Sequence, residues 1–196
     1  MQTHVKQLHG NWDLGFALDK HMLKSVYTGD DEYGHARFYN TRTPAGEALY
    51  QLKYGASWDK AKLLAQAVYD DICPHLPDID MVIPMPPSQY RPRQPVTEVA
   101  AQLATLLDVP IFENFLLRQR TGAKLKDMHS REDKDAALKG KITLGHTFRG
   151  DGPWNALLLD DVHDTGASLS TACEALRACE KIAKVYVVAL TWKRPK

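Results

Sequence analysis

The 196-residue sequence has few cysteines, and they are not paired. Cys73, Cys173 and Cys179 are odd in number and lack the Cys-x-x-Cys spacing, which argues against a disulfide framework and against a structural zinc site. Buried, reduced thiols are the simpler interpretation, since Cys173 occurs on an apolar helical face. With 44% hydrophobic residues, the chain has ample material for a core.

Long apolar runs and an excess of one charge are also missing. The apolar stretches have the length of a strand, and residues 1–6 lack the apolar core of a signal peptide. We therefore expect a soluble, cytoplasmic protein with no membrane partner. Because 25 Lys and Arg face 24 Asp and Glu, for a net charge of +1, no global field favours nucleic acid or an anionic membrane. Any basic site must be local.

The stretch of residues 156–168 combines a strand-like run, an acidic pair and a polar turn. Residues 156–159 are apolar, Asp160 and Asp161 follow, and apolar side chains return at helical spacing over residues 169–176. This pattern predicts a strand, a loop and a helix. Since a carboxylate pair would repel phosphate, the two acids make sense as acceptors for sugar hydroxyls or as partners of a divalent cation.

The polar turn before this helix suits an anion. A strand–loop–helix junction directs the N–H groups of residues 165–168 and the positive end of the helix dipole at one spot, where phosphate is the natural ligand. Gly166 lets the backbone approach closely, and the hydroxyls of Thr165 and Ser168 can donate to phosphate oxygens. The sequence has no Gly-Lys-Thr or Gly-Lys-Ser, which excludes a Walker-type loop.

This stretch resembles the phosphoribosyl-pyrophosphate (PRPP) motif of type I phosphoribosyltransferases. The resemblance implies that Asp160 and Asp161 hold the ribose 2′ and 3′ hydroxyls and bind Mg²⁺. It implies that the 5′-phosphate is held by Asp164, Thr165, Gly166, Ala167 and Ser168. The alternative is a generic α/β loop whose acids only cap the next helix.

A second strand, loop and helix are predicted over residues 81–106. The loop carries two arginines, and its prolines restrict the backbone. In type I phosphoribosyltransferases the corresponding loop binds pyrophosphate, and the resemblance implies this role for Pro86, Pro87, Ser88, Arg91 and Arg93. A solvated basic turn is the alternative.

Residues 118–141 have a different composition from the rest of the chain. They contain eight Lys or Arg residues against four acids, with few large apolar side chains, so we expect a mobile loop with a short helix over residues 131–138. The resemblance implies a flexible hood loop here, with Lys126 or Arg131 as a catalytic cation that reaches pyrophosphate. A solvated, charged loop without this role is the alternative.

The alternation of strands and helices predicts the fold class. We expect an α/β protein with a mostly parallel central sheet flanked by helices, similar to the Rossmann-like fold of type I phosphoribosyltransferases, with ligand at the carboxyl ends of the strands. Residues 1–42 indicate a small, β-rich N-terminal cap with a turn over residues 28–34. Residues 43–196 then form the phosphoribosyltransferase-like domain, whose first helices are capped by Thr43 and Ser57.

Within the superfamily, residues 45–191 are most similar to ComF-type, competence-associated phosphoribosyltransferase-like proteins. The runs Val82-Ile83-Pro84-Met85-Pro86 and Leu116-Leu117-Arg118 carry part of this likeness. The chain departs from that family in two places. It lacks the N-terminal zinc ribbon, and Arg93-Gln94-Pro95-Val96 stands where the family has Arg-Gly-Phe-Asn.

Two functions of different classes follow from the resemblance. The first is an enzyme that uses Mg²⁺ and PRPP and transfers the phosphoribosyl group to a nucleobase or an ammonia-like nitrogen, releasing pyrophosphate. Asp164 then either takes the proton of the base or only shapes the turn. The second is a non-catalytic accessory that binds PRPP or a nucleotide in DNA uptake or processing, with single-stranded DNA as a partner. These folds often dimerise, so the resemblance allows a homodimer, while the sequence leaves the oligomeric state open.

Overall fold

The structure of the protein, a computed structural model, describes residues 1–119, 141–145 and 150–193. Its strands are β1 (Lys6–Gln7), β2 (Leu14–Lys20), β3 (Met22–Asp30), β4 (Ala36–Arg42), β5 (Met81–Pro84), β6 (Leu116–Arg118), β7 (Ile142–Leu144), β8 (Trp154–His163) and β9 (Ile182–Trp192). Its helices are α1 (Pro44–Tyr54), α2 (Asp59–Asp71), α3 (Pro95–Leu107) and α4 (Ala167–Arg177), and a short 3₁₀ turn covers Cys73–His75.

A five-stranded sheet in the order β1-β2-β9-β8-β5 forms the centre of the fold. The pairs β2–β9, β9–β8 and β8–β5 are parallel, and only β1 runs antiparallel to its neighbour. The predicted α/β class with a mostly parallel central sheet is confirmed. On the free side of β5, one isolated parallel bridge joins Val82 to Ile111.

The N-terminal segment does not form one separate cap. β2 pairs with β9 along its length, from Leu14 opposite Tyr186 to Lys20 opposite Trp192, so residues up to 20 belong to the central sheet. Only β3 and β4 form a sheet of their own, with a turn between Asp31 and His35. Burial explains this placement: Ala17 and Leu18 are adjacent in β2 and both fully buried, and a strand with buried side chains on both faces needs a position inside a sheet.

The first helix begins and ends where the sequence predicts. The Thr43 hydroxyl accepts a hydrogen bond from the Gly46 N–H at 3.0 Å, Pro44 is the first helical residue, and Gly55 follows the last. This cap holds the helix start against the sheet, because the same hydroxyl donates to the Lys20 carbonyl at 2.6 Å. α1 is thereby tied to the carboxyl end of β2.

The prediction that Ser57 caps the second helix was wrong. Trp58 occupies the N-cap position of α2 and makes no side-chain cap bond, while the Ser57 hydroxyl donates to the Gly55 carbonyl at 3.4 Å. The helix start is instead favoured by the carboxylate of Asp59 in the first turn, which complements the positive end of the helix dipole.

The sheet separates two apolar layers. Leu157 and Leu159 of β8 pack with residues of α1, α2 and α3, whereas Ala156 and Leu158 pack on the other side with residues of α4, β6 and β7. Strand alternation produces this division, because successive side chains point to opposite faces. Each fully buried Leu contributes about 1.5–3 kcal/mol of hydrophobic free energy, and all four of these residues have no exposed surface.

Among the described residues, no helix is long and apolar enough to cross a bilayer. The short helix expected over residues 131–138 lies outside the part of the chain that the structure describes.

Candidate functional site

Two neighbouring parallel strands open at the same edge of the sheet. Pro84 at the end of β5 lies opposite Leu159 of β8, and β8 then continues to His163, which pairs with Trp192 of β9. The loop after β5 and the turn after β8 therefore both follow carboxyl ends of parallel strands. This is the edge where ligands bind in open α/β sheets.

The acidic pair lies within β8, not in the turn that follows it. Asp160 pairs in register with Ala189, and the ladder continues to His163. Two adjacent positions of a strand face opposite sides of the sheet. The carboxylates consequently meet different neighbours, Asp161 on the side of α1 and Asp160 on the side of β6.

Lys53 is the cation beside Asp161. Its Nζ forms an ion pair with Oδ2 of Asp161, and both side chains are largely buried. Lys53 lies in the last turn of α1, where a cation also interacts favourably with the helix dipole. Nothing in the sequence assigns Lys53 to the acidic pair, and the only signal of the contact is the position of Lys53 between two predicted helices.

A second cation, Arg118 at the end of β6, approaches Asp160 from the opposite face. Burial lowers the pKa of Arg118, whereas the charges of Asp160 and Asp161 raise it. Its Nε is buried and makes no hydrogen bond within the described residues. The sequence placed Arg118 at the start of the hood loop and assigned it no role at the acidic pair.

The environment of Asp160 disfavours its charged form. Burial, and then the negative charge of Asp161, raise the pKa of Asp160 to about 7. A hydrogen bond from the Asp161 N–H to Oδ1 of Asp160, at 2.8 Å, acts in the opposite direction. Asp160 is therefore poised between an acceptor-only carboxylate and a carboxylic acid that can donate a hydrogen bond near neutral pH.

A short hydrogen-bond chain joins β8 and β9 to His21, the residue between β2 and β3. The Thr191 hydroxyl lies 2.9 Å from Nδ1 of His21 and donates to the Asp161 carbonyl at 3.2 Å. Because a hydroxyl has a single proton, Nδ1 of His21 must be the donor in its bond. Burial, and then the charges of Lys193, Lys53 and Arg42, lower the pKa of His21 to about 4.

The turn after β8 has the geometry of an anion site. Gly166 precedes α4 with φ of 83°, and the first helical hydrogen bond runs from the Ser170 N–H to the Gly166 carbonyl. The amides before Ser170 thus lie at the positive end of the helix. A Cβ on Gly166 would lie 3.1 Å from Nε2 of His163, so the turn needs glycine for both its φ and its space.

The remaining residues assigned to this turn surround Gly166. The Thr165 hydroxyl lies 3.4 Å from the Ala167 N–H, Ala167 is buried, Ser168 is half-buried and Asp164 is exposed. The Asp164 residue also interacts with other residues of the structure. The structure therefore places the whole predicted phosphate loop, residues 164–168, directly beyond the acidic pair.

The loop after β5 divides its two arginines between different neighbours. Nη1 of Arg91 donates to the Lys53 carbonyl at 2.9 Å, and its guanidinium lies 5.5 Å from the Tyr54 ring. Arg93 instead pairs with Glu98 at 2.6 Å and stacks 4.2 Å over Trp58. Arg91 is thus brought to Lys53 and the site, whereas Arg93 is engaged beside α3.

The other predicted residues of this loop and of the hood are placed differently. Pro86 is buried, and Pro87 and Ser88 are exposed at the carboxyl edge. Lys126 and Arg131 lie outside the described residues.

The donor set at the acidic pair fits Mg²⁺ shared with a ligand. Within the described part of the chain, no three His, Cys, Asp or Glu side chains converge to hold an ion by themselves. Mg²⁺ is commonly bound by one or two carboxylates together with substrate oxygens. Burial, and then the charge of Asp161, raise the pKa of Asp160, and a cation bound beside the pair would favour the charged form of this carboxyl.

No protein-family model and no curated protein matches the chain. Solved structures do. An adenine phosphoribosyltransferase from Leishmania tarentolae is 10% identical, with a TM-score of 0.49 over 97% of this chain and 95% of that one. The enzyme from Trypanosoma brucei, in complex with AMP, pyrophosphate and ribose-5-phosphate, is 12% identical, with a TM-score of 0.47 over 89% and 70%. The enzyme from Saccharomyces cerevisiae, complexed with an imino-altritol bisphosphate and adenine, is 14% identical, with a TM-score of 0.41 over 84% and 83%.

Proposed function

We propose that the protein is a phosphoribosyltransferase that binds PRPP with Mg²⁺ and transfers the phosphoribosyl group to a nitrogen nucleophile. One observation carries the proposal. The carboxyl edge of β5 and β8 brings an acidic pair, a helix N-terminus behind a left-handed glycine and two cations, Lys53 and Arg91, to one place. Sugar hydroxyls, phosphate and pyrophosphate require these three kinds of group.

The acidic pair would bind the sugar. Asp160 and Asp161 accept hydrogen bonds from the ribose hydroxyls and would hold Mg²⁺, which, when bound, neutralises charge on the leaving pyrophosphate. Lys53 orients the Asp161 carboxylate, because its Nζ pairs with Oδ2. Arg118 acts on Asp160 from the other face of the sheet, where its positive charge favours the charged form of that carboxyl.

The turn after β8 would bind the 5′-phosphate. The amides of residues 166–168 and the hydroxyls of Thr165 and Ser168 donate to its oxygens, and the positive end of α4 favours its charge. Pyrophosphate lies on the other side of the sugar, beside Arg91 and the loop of Pro86, Pro87 and Ser88. Arg93, Lys126 and Arg131 are the further cations proposed for it.

The reaction is a substitution at C1 of the ribose. The nitrogen lone pair forms the bond to C1 while the bond from C1 to the pyrophosphate oxygen breaks, and the electron pair leaves with pyrophosphate. The nitrogen loses its proton to the carboxylate of Asp164, which acts as the general base. The cations stabilise the negative charge that develops on the leaving group.

Isothermal titration with PRPP, with and without Mg²⁺, tests the proposal. The wild-type protein is compared with the double variant Asp160→Asn/Asp161→Asn and with a control, Asp70→Asn/Asp71→Asn, that changes an adjacent acidic pair at the end of α2. We expect Mg²⁺-dependent binding that the control retains and the site variant loses. The same samples are then assayed for pyrophosphate release with nucleobases and ammonia. PRPP binding that is absent, or indifferent to Asp160 and Asp161, contradicts the proposal.

A second function, a non-catalytic PRPP- or nucleotide-binding accessory of the ComF type, is favoured by the contacts of Arg93 in the loop after β5. Arg93 is paired with Glu98 and stacked on Trp58, so it would have to break these contacts to reach a leaving group. This function predicts PRPP binding without pyrophosphate release for any acceptor. It also predicts single-stranded DNA binding that weakens steeply with salt.

A further inference from the structure

One ring nitrogen of His21, at the carboxyl edge of the sheet, is not used by the fold. Nδ1 donates to the Thr191 hydroxyl at 2.9 Å, because that hydroxyl gives its single proton to the Asp161 carbonyl. Nε2 has no hydrogen-bond partner within the described residues, and it is not sealed in the interior, since His21 is only half-buried. With the proton on Nδ1, Nε2 carries a lone pair and is an accessible hydrogen-bond acceptor.

Contacts of the backbone and of the side chain hold His21 in place. Its N–H donates to the Trp192 carbonyl at 2.8 Å, and a Cβ on Gly46 would collide with the His21 carbonyl, so α1 packs directly against this residue. Thr191, the partner of the ring, has no exposed surface. A ligand that binds Nε2 therefore meets a group whose orientation is set before binding, which lowers the entropic cost of the contact.

The charges around His21 keep its ring neutral. Burial, and then the positive charges of Lys193, Lys53 and Arg42, lower the pKa of His21, while the charge of Asp161 acts in the opposite direction. The lone pair of Nε2 is consequently available at neutral pH. The same three cations disfavour a positively charged ligand at this position.

The order of the strands places His21 on the side of the acidic pair that faces away from the loop after β5. The parallel strands lie in the order β2, β9, β8 and β5, so their carboxyl ends form a row. The loop after β5 is at one end of this row, the acids of β8 are inside it, and His21 follows β2 at the other end. A nucleophile attacks C1 from the side opposite the leaving group. With pyrophosphate beside the loop after β5, His21 lies on the side from which the nucleophile enters.

We propose that His21 is a specificity-determining residue, whose Nε2 accepts a hydrogen bond from an N–H group of the acceptor, the molecule that supplies the nucleophilic nitrogen. This inference rests on the proposed function, which places pyrophosphate on the opposite side of the sugar. The N–H that binds Nε2 is not the one lost in the reaction, so His21 transfers no proton. The selected acceptor is an uncharged nitrogen heterocycle with a second N–H or amino group, and the positively charged ammonium ion is selected against.

Two substitutions of His21 separate the roles of its ring nitrogens. In His21→Asn the side-chain amide lies near the position of Nδ1 and keeps a donor for Thr191, but nothing replaces Nε2. In His21→Gln the amide reaches the position of Nε2 and restores an acceptor there. The matched control is His9→Asn, which changes an exposed histidine. Thermal unfolding checks the folding of each variant.

Steady-state release of pyrophosphate from PRPP measures the effect, with adenine, guanine, hypoxanthine, uracil and ammonium chloride as acceptors. We expect the wild-type protein to use a base and not ammonium. His21→Asn should raise the KM for that base at least about tenfold, which is the value of one hydrogen bond, and leave the KM for PRPP unchanged. His21→Gln should recover most of this loss, and His9→Asn should behave as the wild-type protein does.

An analogue that lacks the second N–H tests which group Nε2 binds, such as purine in place of adenine or hypoxanthine. The wild-type protein should have a KM about tenfold higher for the analogue than for the base. His21→Asn should not distinguish the two, because the partner of the N–H is already missing. An equal preference for the base in the two proteins overturns the inference.

Nitrogen-15 NMR of the histidine rings tests the contact without turnover. At neutral pH we expect the proton of His21 on Nδ1, and we expect the Nε2 signal to move when the base is added together with ribose-5-phosphate. A proton on Nε2, turnover with ammonium alone, or an unchanged KM for the base in His21→Asn overturns this inference while PRPP binding and the proposed function stand. A wild-type protein that does not bind PRPP overturns the proposed function, and this inference with it.

Discussion

Lys53 and Asp161 form an ion pair that joins the last turn of α1 to the carboxyl end of β8. The two side chains retain only 20% and 26% of their exposure. The carbonyl of Lys53 also accepts the hydrogen bond of Arg91 from the loop after β5. Three segments that are distant in sequence therefore meet at one lysine.

Replacing Lys53 by Met should destabilise the protein by about 1–2 kcal/mol, because Asp161 would keep a largely buried charge without its partner. Chemical denaturation at neutral pH measures the change. Lys60→Met is the control, since Lys60 pairs with an exposed carboxylate, that of Asp59. It should cost no more than about 0.5 kcal/mol. Equal effects of the two substitutions would show that the Lys53–Asp161 pair has no more influence than a surface pair.

The stability of the wild-type protein should carry a pH-dependent contribution from Asp160. Its pKa is raised to about 7 in the folded state from its ordinary value of 3.8, so between these two pH values the folded state binds one proton that the unfolded state has lost. The free energy of unfolding therefore contains a contribution that is present below pH 4 and is lost as the pH rises towards 7. Asp160→Asn should raise the melting temperature relative to wild type at pH 8 and have little effect on it at pH 4.

The control for this measurement is Asp70→Asn, at an exposed position on α2. This substitution should leave the difference in melting temperature between pH 4 and pH 8 the same as in the wild-type protein. A melting temperature for Asp160→Asn that falls equally at both pH values would contradict the raised pKa.

His21 should make an opposite contribution. Its pKa is lowered to about 4 from 6.5 by burial and neighbouring cations, so the unfolded state binds the proton first. The stabilisation is complete above pH 6.5 and is lost as the pH falls towards 4. When the pH falls from 6.5 to 4, the free energy of unfolding should decrease in both proteins. We expect this decrease to be about 1–3 kcal/mol smaller in His21→Gln than in the wild-type protein. Denaturation curves at several pH values measure it, with exposed His9→Gln as the comparison.

Gly166→Ala should destabilise the protein and abolish the anion site. Its φ of 83° is in the left-handed region, and an added Cβ would lie 3.1 Å from Nε2 of His163. We expect a loss of about 1–3 kcal/mol on thermal unfolding and weaker binding of PRPP in titration calorimetry. Gly34→Ala separates the two causes, since Gly34 has φ of 78° but no atom within 4 Å of an added Cβ. If Gly166→Ala destabilises the protein no more than Gly34→Ala does, the close approach of an added Cβ to His163 has no cost of its own.

The strongly patterned elements were predictable because their signals are local. The cap at Thr43, the proline that follows it and the terminal glycine bound α1, since each acts within a few residues. The apolar run of residues 156–159, buried on both faces, likewise identified the strand that leads to the acids. The turn at Gly166 followed from the small residues between strand and helix.

Other features were misplaced because they depend on partners far along the chain. The sequence of β2 was interpreted as part of a small β-rich cap, because its pairing with β9 joins residues more than 160 positions apart. β8 extends past the acidic pair only because β9 continues beside it to Trp192. Ser57 has the chemistry of a cap, but the chain reaches helical geometry at Asp59.

The α/β class, the order of the main elements and the residues of the polar turn after β8 can be predicted from the amino-acid sequence, because periodicity and capping operate over a few residues. Which cations meet the acids depends on tertiary packing. Lys53 and Arg118 reach Asp161 and Asp160 from opposite faces of the sheet, since strand alternation directs adjacent side chains apart and the helices and strands packed on each face determine what those side chains contact.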